Sequence, residues 1–238
     1  MTPAPTWQRR RRAVLRDALG VGVATGAYGL SFGAIGVAAG LTLAQTCATS
    51  VLIFTGGSQF ALVGVLAAGG ATVPASVSAV LLGARNALYG LRLSVLLRLR
   101  GLPRVVGAQL VIDESTAMAL AHADDDRARR LAFWSTGLAV FVLWNLATLG
   151  GALAGQSLGD PRALGLDAAV PAAFLALLWP RLTDRATRAV AVAAALVALL
   201  LVPVTPAGVP VMAAALVAVV AGALWRDALL GRSREAAA

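Results

Sequence analysis

Eight apolar segments divide the chain, and they constrain its fold more than any other feature of the sequence. Glycine, proline or charged residues separate them, and each covers roughly the span of a bilayer-crossing helix, about 20 residues. They lie at roughly 18–43, 45–69, 74–97, 105–122, 131–155, 163–180, 187–203 and 209–226. The pattern predicts an all-α, polytopic integral membrane bundle of seven to eight transmembrane segments, of which 105–122 is the weakest.

The composition is not that of a soluble protein. Of the 238 residues, 59% are hydrophobic and 13% are charged, whereas soluble domains are about 25% charged. The predicted organisation is a basic cytoplasmic N-terminal tail (1–17), a transmembrane domain (18–226) and a short C-terminal tail (227–238). A single cysteine, Cys47, and a single histidine, His122, leave no intrachain disulfide and no histidine-rich metal site, so no metal or cofactor is expected.

The 20 basic residues are all arginines and cluster at the ends of apolar runs. This placement is typical of membrane topology and lipid headgroup contact rather than nucleic-acid binding. Eight spans with a cytoplasmic N-terminus would put the loops 123–130 and 181–188 and the C-tail inside. The arginines that break the rule would be Arg98, Arg100 and Arg104, and a re-entrant or broken helix within 74–122 would remove the exception.

The sequence also carries a weak internal similarity. A shift of 114 residues aligns Phe60-Ala61-Leu62 with Phe174-Leu175-Ala176 and superimposes apolar segments one to three on five to seven. Transporters are often built from such repeats, here of three to four helices. Apolar helices also resemble one another by chance, and this reading stays open.

Five small or polar residues occupy the centre of the second segment, Thr55-Gly56-Gly57-Ser58-Gln59. Glycines allow helices to approach closely, and hydroxyls can satisfy backbone groups where a helix breaks. Gly56, Gly57, Ser58 and Gln59 could therefore form a cradle for a small zwitterion. The alternative is tight helix packing.

Arg85 and Asn86 lie half-way along the third segment, and Tyr89 follows one helical turn after Arg85. A guanidinium binds carboxylates with two parallel hydrogen bonds. These three residues are candidates for substrate binding, and the alternative for Arg85 is an ion pair with a buried acid.

Asp113 and Glu114 interrupt the fourth segment and point to different faces of a helix. One could pair with Arg85, and the other could take up and release a proton, as acids do in transporter relays. The alternative is a non-spanning segment with solvated acids. Asp167, at the start of the sixth segment, is a third candidate for coupling or ion pairing, or a helix cap.

Five ordered runs together resemble the AzlC family of branched-chain amino-acid permeases, over about residues 18–226. They are GLSFGAIGVAAGL (Gly29–Leu41), FTGGSQFALVGVLAAGG (Phe54–Gly70), ARNALYGLRLS (Ala84–Ser94), IDESTAMAL (Ile112–Leu120) and LGLDAAVPAAFLALLWP (Leu164–Pro180). The resemblance implies export of branched-chain amino acids and their analogues across a bacterial cytoplasmic membrane, together with a small AzlD-like membrane subunit. Family members often have Arg-His where this chain has Arg85-Asn86, so a proton step here would fall to Asp113 or Glu114.

Other classes of protein remain as alternatives. No Walker A run exists and the chain has no lysine to complete one, so direct use of ATP is not expected. A scaffold subunit would use the buried charges only as ion pairs, and a channel would not accumulate substrate. An intramembrane serine hydrolase would need Ser58 and His122, but no catalytic residue is expected.

Overall fold

The computed structural model describes residues 6–157, 175, 178–179 and 182–235, with side chains up to residue 224. Helices dominate the described residues, and no strand occurs among them. The nine helices of this part are α1 (Trp7–Ala38), α2 (Leu43–Leu52), α3 (Gly57–Ala67), α4 (Thr72–Leu97), α5 (Leu102–Gln109), α6 (Asp113–Ala121), α7 (Asp126–Ser157), α8 (Arg185–Leu201) and α9 (Val209–Glu235).

The long helices α1 and α7 run side by side in the same direction. Their N-terminal ends meet where Arg10, in the first turn of α1, pairs at 2.7 Å with Asp124, two residues before α7. Further along, glycines of α1 lie against the backbone of α7, and a Cβ on Gly33 would come within 2.0 Å of the Thr148 carbonyl oxygen. Small residues are the usual means of close helix contact in a membrane, and here they join the two helices along most of their length.

Helix α4 crosses the bundle in the opposite direction. Leu99, just beyond its end, lies near the first turns of α7: a Cβ on Gly107 would be 2.8 Å from Leu99 and 3.7 Å from the Phe133 ring. The end of α4 is therefore at the same end of the bundle as the N-terminus of α1. Arg98, Arg100 and Arg104 consequently lie with the N-terminal arginines, and they no longer break the topology rule.

The second apolar segment is not the single helix that the sequence predicts over 45–69. It is broken at residues 53–56, where Gly56 adopts a φ of 63°. Helix α2 runs from the end of α1 toward the middle, where Phe54 packs on Phe141 with ring centroids 5.0 Å apart. Helix α3 starts beside Leu82 in the middle of α4 and returns to the end at which α4 begins. Because glycines, hydroxyls and an amide interrupt the apolar run, the segment forms a re-entrant pair.

The fourth apolar segment, 105–122, is also broken and does not cross the bundle. Helix α5 starts after Gly101 and leads inward to Leu110, which packs on Gly137 of α7. Helix α6 starts at Asp113 in the middle and returns to the start of α7. The broken helix that the sequence offered as an alternative for this region is thus present, and the pair of acids lies at the break.

Helices α8 and α9 form a further pair, and their connection reaches the start of α4, where a Cβ on Gly208 would be 2.7 Å from Pro74. Among the described residues, α1, α4 and α7 are the helices long and apolar enough to cross a membrane. Two predicted spans are thus replaced by re-entrant pairs. The predicted segment 163–180 lies almost wholly outside the described residues, and the internal repeat stays a prediction. The tail predicted over 1–17 is helical from Trp7 onward.

Candidate functional site

A cavity of about 230 Å³ lies in the middle of the bundle, where the two helix breaks meet. The first break supplies Thr55, Gly56 and Gly57, and the second supplies Ile112 and the two acids. Helices α1, α4 and α7 complete the wall. The remaining lining residues are Thr25, Tyr28, Phe54, Phe60, Leu82, Arg85, Val140, Trp144 and Leu178.

Arg85 and Asp113 form an ion pair in this cavity, with Nη2 and Oδ2 3.0 Å apart. Arg85 comes from the middle of α4, and Asp113 is the first residue of α6. The side chains are 28% and 25% exposed, so both charges remain accessible from the cavity. The N-terminal end of α6 also favours a carboxylate electrostatically.

Glu114 follows Asp113 and lines the same cavity, half-buried. Thr25, in α1, lines the same cavity. The two adjacent acids therefore lie between α4, which supplies Arg85, and α1, which supplies Thr25.

The start of α3 provides the positive side of the cavity. Gly57 lies under the guanidinium of Arg85, and a Cβ at this position would be 3.3 Å from Nη2. Glycine therefore allows Arg85 to lie directly against the helix N-terminus. The first N–H groups of a helix have no partner inside the helix and carry a partial positive charge. Together with Arg85 they form a place for an anionic group.

Ser58 and Gln59 are buried behind the cavity rather than in its wall. Gln59 accepts a hydrogen bond from the Gly56 N–H through Oε1, at 3.0 Å. It therefore holds the break in shape. Ser58 faces α4, where its Oγ would be 3.0 Å from a Cβ on Gly83. Of the four cradle residues, only Gly56 and Gly57 line the cavity.

The other predicted residues of α4 also lie away from the cavity. Asn86 and Tyr89 are not among its lining residues. Asn86 points about 100° away from Arg85 around the helix, whereas Tyr89 lies one turn further along the same face. Tyr89 packs on the apolar core. Asp167 lies outside the described residues. The structure therefore brings together Gly56, Gly57, Arg85, Asp113 and Glu114.

Several lining residues were not found by sequence reasoning. Thr25, Tyr28 and Trp144 come from the long helices α1 and α7. Trp144 is buried and packs edge-to-face on Phe60, with centroids 6.1 Å apart. The available signal was weak: Thr25 and Tyr28, three residues apart, place two polar groups on one face of an apolar helix.

His122 lies at the far end of α6, eight residues after Glu114, where Nδ1 contacts the Met118 carbonyl oxygen. It is not among the lining residues of the cavity. Within the part of the chain that the structure describes, no cluster of three metal-ligating side chains occurs. The cavity instead holds the Arg85–Asp113 pair and a second acid, Glu114, among largely apolar walls. This arrangement is complementary to an apolar zwitterion.

Comparison with known proteins identifies the family of the chain. The sequence profile of the AzlC protein family matches residues 20–158, which include α1 from residue 20 onward, all of α2 to α7 and both helix breaks. No curated protein and no solved structure matches the chain. Since the match covers more than half of the sequence, the chain belongs to the AzlC family.

Proposed function

We propose that this protein is a secondary transporter that exports branched-chain and related apolar amino acids, or their analogues, across a bacterial cytoplasmic membrane. Membership of the AzlC family suggests a role related to branched-chain amino-acid transport. The observation that supports a direct role for this chain is the accessible Arg85–Asp113 pair at the meeting point of two broken helices. Broken helices at mid-membrane are typical of substrate sites in secondary transporters.

The substrate carboxylate would bind at the N-terminus of α3 and to Arg85, and the ammonium group would bind to Asp113 or Glu114. Phe54, Leu82 and Val140 supply apolar walls for the aliphatic side chain. Most ligand sites combine apolar walls with a few placed polar groups. A bound zwitterion would compete with the Arg85–Asp113 pair for both charges, which links occupancy to the contact between α4 and α6.

We further propose that proton-motive force drives export through Asp113 or Glu114. Both acids line the cavity, and neither has a histidine neighbour that could carry the proton. The two helix pairs enter from opposite ends of the bundle and meet at the site. Alternating movement of these pairs would expose the acids first to one side of the membrane and then to the other.

A small AzlD-like membrane subunit is part of this proposal. The family resemblance supports it. Vesicles containing this chain with and without such a subunit would test it, and equal efflux in both would contradict the requirement.

The first experiment is efflux of leucine, isoleucine, valine and methionine from preloaded vesicles, with a proton gradient imposed and then collapsed. Arg85→Ala is expected to reduce efflux at least about 100-fold, corresponding to about 2.7 kcal/mol of lost stabilisation. Arg92→Ala is the matched control, since Arg92 is an exposed arginine of the same helix outside the cavity.

Normal efflux by a correctly inserted Arg85→Ala variant would contradict the proposed site. No efflux from the unmodified protein, with or without the subunit, would favour the alternative of a scaffold. Efflux that cannot proceed against a substrate gradient would indicate a channel instead.

A further inference from the structure

A second and larger cavity lies beside the central one. It has a volume of about 690 Å³ and is bounded by α3, the first half of α4 and the α8–α9 connection. Its lining residues carry no charge, and most are small or aliphatic. Representative members are Ala61 and Gly64 of α3, Ser78 and Leu82 of α4, and Thr205 and Val211 near α9.

The two cavities follow one groove between α3 and α4. On α3, Gly57 lines the central cavity, and Ala61 and Gly64, four and seven residues later, line the second. These spacings place all three on one helix face. On α4, Leu82 lines both cavities. Its Cδ2 lies 3.4 Å from a Cβ built on Gly57, so its side chain closes the groove between them.

Ser78 supplies a polar group to the second cavity. Its side chain is 2% exposed, and its Oγ has no hydrogen-bond partner among the described residues. An unsatisfied buried hydroxyl costs about 1–3 kcal/mol, unless a bound molecule or water completes it. An aliphatic cavity with one unused hydroxyl suits a small apolar molecule that carries a hydrogen-bonding group.

We propose that the second cavity is a release compartment for the substrate, and that Leu82 is the partition which the substrate displaces to enter it. This inference rests on the proposed transport function. The compartment lies at the end of the bundle opposite the N-terminal arginines, which is the exit side for an exporter with a cytoplasmic N-terminus. It accommodates the aliphatic side chain but offers no charge to hold the zwitterion, so affinity falls once the substrate leaves Arg85.

The first test changes the size of the side chain at Leu82. Leu82→Trp is expected to reduce leucine efflux at least about tenfold, a larger loss than any loss of leucine binding, which thermal stabilisation of the purified protein measures separately. Leu82→Ala is expected to raise phenylalanine efflux relative to valine efflux. Leu88→Trp is the control, because Leu88 is an exposed leucine of the same helix that lines neither cavity.

Normal efflux by Leu82→Trp would overturn the partition while leaving the proposed function intact. Absence of both leucine binding and efflux in the unmodified protein would overturn the proposed function, and this inference with it.

A second test does not depend on the fold tolerating a tryptophan. The chain has one cysteine, so Cys47→Ala gives a background in which Ser78→Cys is the single thiol. A membrane-impermeant maleimide is expected to modify this thiol from the exit side, and leucine is expected to slow the reaction at least about threefold. Modification that is absent or unaffected by leucine would overturn the proposal and indicate that lipid acyl chains fill the cavity.

Discussion

The α1–α7 pair and the α3–α4 pair join helices in opposite ways. Glycines bring α1 and α7 into backbone contact, and 44% of the apolar stretch of α1 is buried. Helix α4 has only 11% of its apolar stretch buried, and its groove with α3 contains part of two cavities. The first pair has no space to rearrange, whereas the second has space along its length.

This difference indicates which part of the molecule can move. Two helices in close backbone contact have few alternative arrangements. A groove with cavities, in contrast, can open and close with small changes of side-chain rotamer. We therefore expect α1 and α7 to act as a rigid support. The α3–α4 groove, with Arg85 at its centre, is expected to change during transport. Four predictions test the comparison, from the largest effect to the smallest.

The largest effect is expected from a methyl group on the rigid side. Gly33→Ala would place a Cβ 2.0 Å from the Thr148 carbonyl oxygen and 2.6 Å from the Ala152 nitrogen. Both are backbone atoms that cannot turn away, so the helices must separate, at a cost of about 3 kcal/mol or more. We expect loss of monodisperse protein in size-exclusion chromatography. Gly20→Ala is the control because nothing lies within 4 Å of its Cβ position, and equal behaviour of the two variants would contradict the close contact.

The second prediction separates stability from transport at the central ion pair. Arg85→Ala leaves the Asp113 carboxylate without its guanidinium partner and is expected to lower the free energy of unfolding by about 1–2 kcal/mol, a modest figure because both side chains are partly exposed. The double variant Arg85→Ala/Asp113→Asn removes the charge as well. We expect thermal denaturation to show recovered stability, while vesicle efflux stays lost. A double variant as unstable as the single one would show that the two charges are not coupled.

The third prediction concerns the break that opens the groove. Gln59→Leu removes the acceptor of the partly buried Gly56 N–H and is expected to lower the free energy of unfolding by about 1–2 kcal/mol. Gln45 makes the equivalent contact with the Thr42 N–H at the exposed start of α2, so Gln45→Leu should cost less. Thermal denaturation compares the two variants. Gln59→Glu retains an acceptor oxygen and is expected to recover part of the loss; an equal loss in all three would contradict a role at the break.

The sequence predicted the class of the fold because hydrophobicity dominates membrane insertion. It also offered an ion pair between Arg85 and either Asp113 or Glu114 as an alternative, since charges in apolar segments need partners, and the structure has the pair with Asp113. It offered a broken helix within 74–122 as an alternative but did not predict the break in the second segment, because a broken apolar segment and a continuous one have nearly the same hydropathy. The exception at Arg98, Arg100 and Arg104 was the one signal for the second pair.

The site was predicted in part for a related reason. A helical position gives the direction of a side chain only when the neighbouring helices are known. Asn86 and Tyr89 follow Arg85 closely in sequence but do not line the cavity, whereas Thr25 and Trp144 reach it from distant segments. Gln59 was expected to bind substrate, and its contact with Gly56 shows that an amide inside a membrane helix can instead satisfy the backbone at a break.

The smallest effect is expected at the solvated end of the rigid pair. Arg10 donates two hydrogen bonds to Asp124, and this contact holds the pKa of Asp124 below its ordinary value of 3.8. A depressed pKa means that the folded state favours the carboxylate, so the contribution to stability is present above the ordinary value and is lost as the pH falls through the folded pKa. The pair is exposed, and salt weakens it. Between about pH 5 and pH 3, thermal denaturation should therefore show a slightly larger loss of stability for the unmodified protein than for Asp124→Asn.

Asp17→Asn is the control for general charge effects, since Asp17 pairs only with its neighbour Arg16 among the described contacts. If Asp124→Asn and the unmodified protein lose stability in parallel, the Arg10–Asp124 contact does not help to hold the start of α1 against the residues that precede α7.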